Sequence, residues 1–379
     1  MYSKDQNRIA LSIFFFLSGF CFSTWASRIP TLKATFFMDE ATLGNFLFIL
    51  PISSLLGLPF SGWLVSKFDS RQPLKVGFIF FLLGLLGIGL SSQFEALVLS
   101  AFLFAFSMRV INISMNTQAI QLQKQFTKKI NGRFHGIWSL GGLCGLLVST
   151  SMLNFGVSIA QHIISIAILA LGVMLVVSRY LLRNDKEVSG NKLYFGKPDK
   201  FVLYTGLVVF CAAVCEGGVY DWSSVYFRYV VGAELFTLSY LVFMISMTLS
   251  RFFVDRWIDA IGMKKLYTLS TIVIVIGVSI LILLPYFYTA LLGFFITGFG
   301  VASIFPMSFM LAGQSKKYAP GMAISIVGTY ATIGVLLAPP FVGYLAHLFK
   351  LNWAFLLFVA AALFLLYFSR KAFSHSTVS

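Results

Sequence analysis

Stretches of about 20 residues with almost no charge recur along this chain, and that recurrence constrains its fold more than any other feature. They fall near residues 9–27, 43–65, 74–91, 96–119, 136–157, 161–182, 201–224, 236–257, 266–284, 287–311, 321–345 and 351–369. A helix rises about 1.5 Å per residue, so each run suffices to cross roughly 30 Å of hydrocarbon. Only 11% of residues are charged, against about 25% in a soluble domain, and mean hydropathy is +0.88. Such a chain cannot clothe a water-facing surface. The pattern predicts an all-α membrane protein of twelve transmembrane helices with the lipid bilayer as its main solvent. Residues 1–27, with Lys4 and Arg8 before an apolar core, have the outline of a secretion signal; because similar segments follow, they are read as a retained first helix.

The net charge of +15 would suggest nucleic acid in a soluble protein. Here the cations sit in short breaks between apolar runs, which is how charge sets topology, so no nucleic-acid partner is expected. With the N-terminus in the cytoplasm, 22 of the 28 Lys and Arg fall inside and four outside (Arg28, Lys33, Arg228, Lys350), leaving Arg109 and Arg251 within the membrane. That bias predicts a multi-pass protein of the bacterial inner membrane with both termini cytoplasmic. All six tryptophans fall near span ends, Trp25, Trp222 and Trp353 outside and Trp63, Trp138 and Trp257 inside, as an interfacial belt would have it. The four cysteines lie in apolar runs, a setting for small buried side chains rather than for disulfides or a metal.

The most polar stretch, 183–200, follows six spans and divides the chain into residues 1–182 and 201–379. It reads as a cytoplasmic linker between two six-helix lobes. The halves echo each other: Trp25-Ala26-Ser27 returns as Trp222-Ser223-Ser224 at an offset of 197, and Gly141–Gly145 returns as Gly334–Ala338 at 193. Together they predict a duplicated, pseudo-symmetric unit.

Residues 62–71, GWLVSKFDSR, and 255–265, DRWIDAIGMKK, stand 193 apart after the second and eighth spans. They resemble the cytoplasmic loop motif of the major facilitator superfamily, Gly-x3-Asp-Arg-x-Gly-Arg-Lys, in its two copies. Both depart from it: Ser66 and Asp69 stand where Asp and Gly are expected, and the second copy keeps Asp259, Gly262 and Lys264 but has Ala260 and Met263. The strings WASRIP (25–30), SMNTQA (114–119), FHGIWSLGG (134–142), EGGVYDWSSVY (216–226), GFGVASIFP (298–306) and APPFVG (338–343) are similar to the fucose-permease-like branch and extend the resemblance over essentially the whole chain. It implies a two-lobe bundle, alternating access, a cavity lined by helices 1, 4, 7 and 10, and often proton-coupled uptake of sugars. Lys67, Arg71, Arg251, Asp255 and Asp259 would then bridge the inner helix ends as a gate; positive-inside charge without a gating role explains the loop residues equally well.

An ionisable group at mid-membrane costs about 2.5–3.5 kcal/mol on insertion scales and is by default a functional candidate. Arg109, Asn112 and Asn116 follow i, i+3, i+7 spacing on the fourth span and share a face. Lining the cavity, they could bind a polar solute, with Arg109 presenting a fork for a carboxylate or phosphate; buried between helices, they would be interhelical glue. Trp25 and Tyr220 are further candidate solute contacts. Related sugar permeases usually carry an acid where this chain has Asn112, which moves attention to Glu216 and Asp221, the two acids of the seventh span, as candidates for proton coupling. Glu216 adjoins Gly217 and Gly218 and shares a face with Tyr220. Counting residues places Arg109 about 20 Å and Glu216 about 10 Å from the outer face, which argues against a resting ion pair between them. Arg28 and Asp221 occupy equivalent outer ends and could form an outer gate, or face solvent. Arg251 and Asp255, one turn apart, are expected to pair. His135 reads as an interfacial polar residue.

The reading that follows is a secondary active transporter, presumed monomeric, moving a small polar solute, sugar-like or anionic, by alternating access with H⁺ as coupling ion and no bound cofactor or metal. Efflux of amphipathic compounds is the alternative. A non-transporting membrane sensor ranks last because the loops are short. No nucleophile–base pair, metal cluster or phosphate loop supports an enzyme.

Overall fold

The structure, a computed structural model, describes residues 3–126, 130–183, 198–318 and 320–375. Most of the expected linker 183–200 lies outside the described residues. Sixteen α-helices follow one another with no strand among the described residues: α1 (Lys4–Ala26), α2 (Ile29–Thr35), α3 (Glu40–Lys67), α4 (Arg71–Leu90), α5 (Phe94–Gln123), α6 (Asn131–Asn154), α7 (Ile159–Val177), α8 (Lys200–Tyr229), α9 (Thr237–Arg251), α10 (Val254–Ile261), α11 (Met263–Leu283), α12 (Phe287–Val301), α13 (Ile304–Ala312), α14 (Pro320–Phe349), α15 (Leu351–Ala354) and α16 (Leu356–His375). Polar breaks supply the caps. Ser3 with Gln6 and Ser158 with Gln161 form capping boxes on α1 and α7, and the Asp199 carboxylate accepts from Val202 N at the start of α8, each satisfying amide groups a helix start leaves orphaned.

Eleven segments among the described residues are long and apolar enough to cross a membrane. The expected eighth span, 236–257, is α9, of 15 residues, followed by α10; α9 alone rises only about 22 Å. The break falls at Phe252 and Phe253, where the sequence turns from apolar to the charged run Asp255, Arg256, Asp259. The seventh span is longer than the hydropathy suggests, running as α8 to Tyr229. Glu216 is therefore near the middle of its helix, about 20 Å from the Tyr229 end, rather than the roughly 10 Å expected from the shorter span.

The chain divides into two compact units, Met1–Phe36 with Ile49–Lys192 and Phe37–Phe48 with Leu193–Ser379. The first turns of α3 group with the second unit because they lie against α14. A Cβ on Gly44 would come within 3.1 Å of Gly343 Cα, Tyr344 Oη donates to Asn45 Oδ1 (2.9 Å), and His347 Nδ1 is 3.6 Å from Asp39 Oδ2. Within the first unit α1 packs on α6 and α4 on α5; within the second α8 packs on α14 and α11 on α12.

The internal repeat is visible in these pairings. A Cβ on Gly141 of α6 would overlap the Phe16 carbonyl of α1, and one on Gly334 of α14 would overlap the Phe210 carbonyl of α8. Gly is thus required at matching close approaches, 193 and 194 residues apart. The tryptophan echo has a different meaning from the one its position suggests. Trp25 is 1% exposed, against Phe104, and Trp222 is 0% exposed with no partner for its Nε1 among the described residues. Both are core residues of their units rather than members of an interfacial belt; Trp63 and Trp353 remain exposed at helix ends.

Candidate functional site

In the first unit the polar stripe of α5 is formed as the spacing predicts. Arg109, midway along α5, is half-buried, and its Nε donates to Ser54 Oγ of α3 (2.8 Å). Asn116 Nδ2 donates to both the backbone O (2.9 Å) and Oδ1 (3.1 Å) of Asn112. Both atoms facing Asn116 are acceptors, so its amide must turn its donor toward them. Trp25 is not part of this stripe: with its indole sealed in the core, the expectation that it contacts solute is corrected. An apolar cavity of about 430 Å³ lies between α3, α4 and α5, with Gln72 and Ser107 the only hydrogen-bonding side chains among its described lining residues; it offers a polar solute little.

In the second unit the acid of α8 has a partner that sequence spacing assigned elsewhere. Arg251 Nη2, at the end of α9, is 3.2 Å from Glu216 Oε1, and Tyr220 Oη donates to that same oxygen (2.7 Å). The guanidinium reaches across to α8; the expected pairing of Arg251 with Asp255 falls on a side chain that lies outside the described residues. Glu216 Oε2 is buried without a partner among the described residues. Tyr220 is held edge-on by Tyr240 and Phe243 (centroids 5.6 and 5.8 Å), with Met247 Sδ 3.6 Å from its oxygen. The carboxylate side chain is 12% exposed and the guanidinium 35%, so the pair has one dry end and one wet end. Asp221, one residue on, is half-buried, with no hydrogen bond or ion pair to any described residue.

Arg28 is neither solvent-facing nor available as a simple gate cation. It is 2% exposed; its Nε donates to His162 Nδ1 (3.1 Å) and its Nη2 to Val157 O (3.0 Å), tying the end of α1 to the start of α7. His162 was not singled out by the sequence reading, although a histidine inside an apolar run carries the same signal as any intramembrane ionisable group. Of the inner-end candidates, Lys67 Nζ lies over the Trp63 ring (4.9 Å), Arg71 Nε donates to Ser178 O (3.1 Å), and Asp259 is exposed on α10. His135 is exposed, edge-on to Phe15.

Long apolar helices with a few polar groups at their midpoints define a multi-pass membrane protein built to handle a solute. The sequence profile of the Major Facilitator Superfamily matches residues 11–315 and 235–379, and the chain belongs to that family of membrane transporters, which are not enzymes. It is 28% identical over 352 residues to an uncharacterized MFS-type transporter of Yersinia pestis, covering 92% of this chain and 91% of the relative. It is 27% identical over 363 residues to membrane protein MosC of Rhizobium meliloti, covering 94% and 88%. Among solved structures the nucleoside transporter NupG superposes with a TM-score of 0.76 at 15% identity, over 97% of this chain and 99% of that one. A bacterial homolog of the human lysosomal transporter Spinster does so with 0.76 at 13%, over 98% and 99%. At such identities the likeness is one of fold.

Proposed function

We propose that the chain is a proton-coupled secondary transporter of the fucose-permease-like branch. It takes up a small polar solute by alternating access, acting as a monomer in the bacterial inner membrane with both termini cytoplasmic. The observation that carries the coupling is the asymmetry of Glu216: Oε1 binds Arg251 and Tyr220 while Oε2 is buried with no partner among the described residues. A proton arriving on Oε2 neutralises the carboxylate and weakens its attraction for Arg251. Protonation therefore changes how firmly α8 holds α9, which is what a coupling site must do. Asp221, without a described partner, is the second acid on this path. The first unit supplies the solute contacts Arg109, Asn112 and Asn116. The apolar cavity between α3, α4 and α5 favours a second reading, efflux of amphipathic compounds, but neither Arg109 nor any other charged side chain is among its described lining residues.

Reconstitution into liposomes with an inward proton gradient tests the assignment. Sugars and sugar acids are screened for uptake with a pH dye inside. Coupled uptake is expected to acidify the lumen in the wild type. Glu216→Gln should retain exchange of labelled solute across the membrane but lose gradient-driven accumulation. Accumulation that survives in Glu216→Gln rejects the proton site, and stabilisation of the protein by lipophilic cations alone places efflux first.

A further inference from the structure

Resting on the polar-solute reading, we infer that the solute is a hydroxylated monocarboxylate of the sugar-acid class, with its carboxylate held by the Nη1/Nη2 edge of Arg109 and its hydroxyls by Asn112 and Asn116.

The inference begins with an uncompensated charge. Of the five N–H donors of a guanidinium, Arg109 gives the Nε one to Ser54; its Nη groups donate to no described residue. The described carboxylates of the first unit, Asp5, Asp69 and Glu95, stand at helix ends or turns; Glu95, on the same helix, is about 21 Å along its axis. A cation midway along a membrane-spanning helix and only partly buried cannot face hydrocarbon without a large cost. It must face a hydrated space, where its planar fork is free for a bidentate anion. Neutral cargo would leave this charge uncompensated when water is displaced, whereas a monoanion cancels it. A phosphate dianion would exchange one uncompensated charge for another, so a single arginine favours a carboxylate.

The neighbouring amides define the rest of the molecule. Asn116 Nδ2 is spent on Asn112, so Asn116 presents Oδ1, an acceptor, while Asn112 keeps both Nδ2 donors. An adjacent donor and acceptor suit a hydroxyl, which is both. Asn112 and Asn116 lie about 4.5 and 10.5 Å from Arg109 along the helix axis, so a carboxylate on the Arg109 fork leaves a chain of several carbons running past Asn112 toward Asn116. An aliphatic acid would leave these amides unpaired.

The test uses the purified full-length protein and isosteric probe pairs: D-gluconate against sorbitol, and D-glucuronate against D-glucose, with acetate as the bare anion. Binding is read by thermal shift and isothermal titration for the wild type, Arg109→Gln, Arg109→Lys and Asn112→Leu. The acids should bind the wild type and their neutral partners should not. Arg109→Gln should weaken the acids roughly ten- to hundredfold, and Arg109→Lys, which keeps the charge but loses the fork, should fall between. Asn112→Leu, which leaves the arginine intact, should lower gluconate toward acetate, and it serves as the readout if an arginine variant does not fold. Neutral sugars binding as tightly as the acids, or acids binding Arg109→Gln undiminished, would overturn the anion while leaving the polar-solute reading intact. No response to any carboxylate also overturns it. Binding of tetraphenylphosphonium alone removes both.

Discussion

Glu216 divides its oxygens between two tasks, and the consequences for stability follow from that division. Removing Arg251 leaves a carboxylate that is 12% exposed without its counter-charge. Full burial would make this worth about 3–5 kcal/mol. Because the Arg251 side chain is one-third exposed and solvent-screened, Arg251→Ala should cost roughly 2 kcal/mol. The double variant Glu216→Gln/Arg251→Ala should cost less than Arg251→Ala alone, since no unpaired charge remains. Denaturation in detergent of the four proteins of this cycle measures the difference, and strict additivity would show that the pair is not coupled. At Arg28 the loss is of hydrogen bonds instead: Arg28→Lys cannot reproduce the two-pronged contact with His162 and Val157 and should lower stability by about 1–2 kcal/mol, read as a fall in Tm. At this scale the sequence disclosed which residues were exceptional but not whom they met. Arg251 meets Glu216 on another helix, and helix-to-helix register is not encoded by spacing along either one. Arg28 read as an outer charge because the sequence shows its position near a span end but not the α7 start folded over it.

Turns between helices carry the duplication more clearly than the helices themselves. Gly156 (φ 67°) ends α6 and Lys350 (φ 91°) ends α14, 194 residues later; Phe37 (φ 51°) and Gly232 (φ 77°) form a second pair at 195. Each pair shares a left-handed backbone, yet one member of each lacks the glycine that adopts it freely. Lys350, with ψ 149°, approaches a region that is nearly glycine-only and costs about 1–3 kcal/mol elsewhere. Lys350→Gly should therefore raise the unfolding free energy by about 1 kcal/mol, offset in part by the entropy glycine adds to the unfolded chain; an unchanged or lower Tm would argue against strain at this turn. The converse holds in the loop motif. Gly262 joins α10 to α11 with φ 78° and ψ 152°, so Gly262→Ala should destabilise by about 1–3 kcal/mol. In the first copy, where Asp69 replaces the motif glycine, Asp69 has no positive φ and Ser70 leads into α4 with right-handed angles, so that turn needs no glycine. The repeat was legible from the Gly141/Gly334 and Trp25/Trp222 echoes because close packing and core volume restrict residue type. The Gly156/Lys350 and Phe37/Gly232 pairs were not legible, since one member of each had drifted away from glycine while the backbone kept its path.

Across the whole molecule, charge outside the spans and hydropathy inside them act on different decisions, and this separation makes topology testable without knowing the solute. Hydropathy sets how many segments enter the bilayer; it ended α8 too early and overlooked the shortness of α9, because the polar turn into α10 is averaged with its apolar neighbours. The 22-to-4 distribution of Lys and Arg predicts the orientation, since each cation costs energy to translocate. Two exposed side chains stand at helix connections that this distribution assigns outside, Phe37 (94% exposed) and Tyr288 at the start of α12 (82%), and exposed Lys67 at the end of α3 and Asp259 on α10 stand at connections assigned inside. Cys21, Cys211 and Cys215 are buried and should react slowly, so single cysteines at these four sites can be read in a Cys144→Ser background. In intact cells a membrane-impermeant maleimide should label Phe37→Cys and Tyr288→Cys, and should reach Lys67→Cys and Asp259→Cys only after the membrane is opened. Labelling in the reverse order would invert the protein, place Arg28 and Asp221 on the cytoplasmic side, and deny Glu216 a proton arriving from outside through that end of α8. The orientation thus fixes the direction in which any proton held at Glu216 can do work, and the labelling experiment bears on mechanism as directly as on topology.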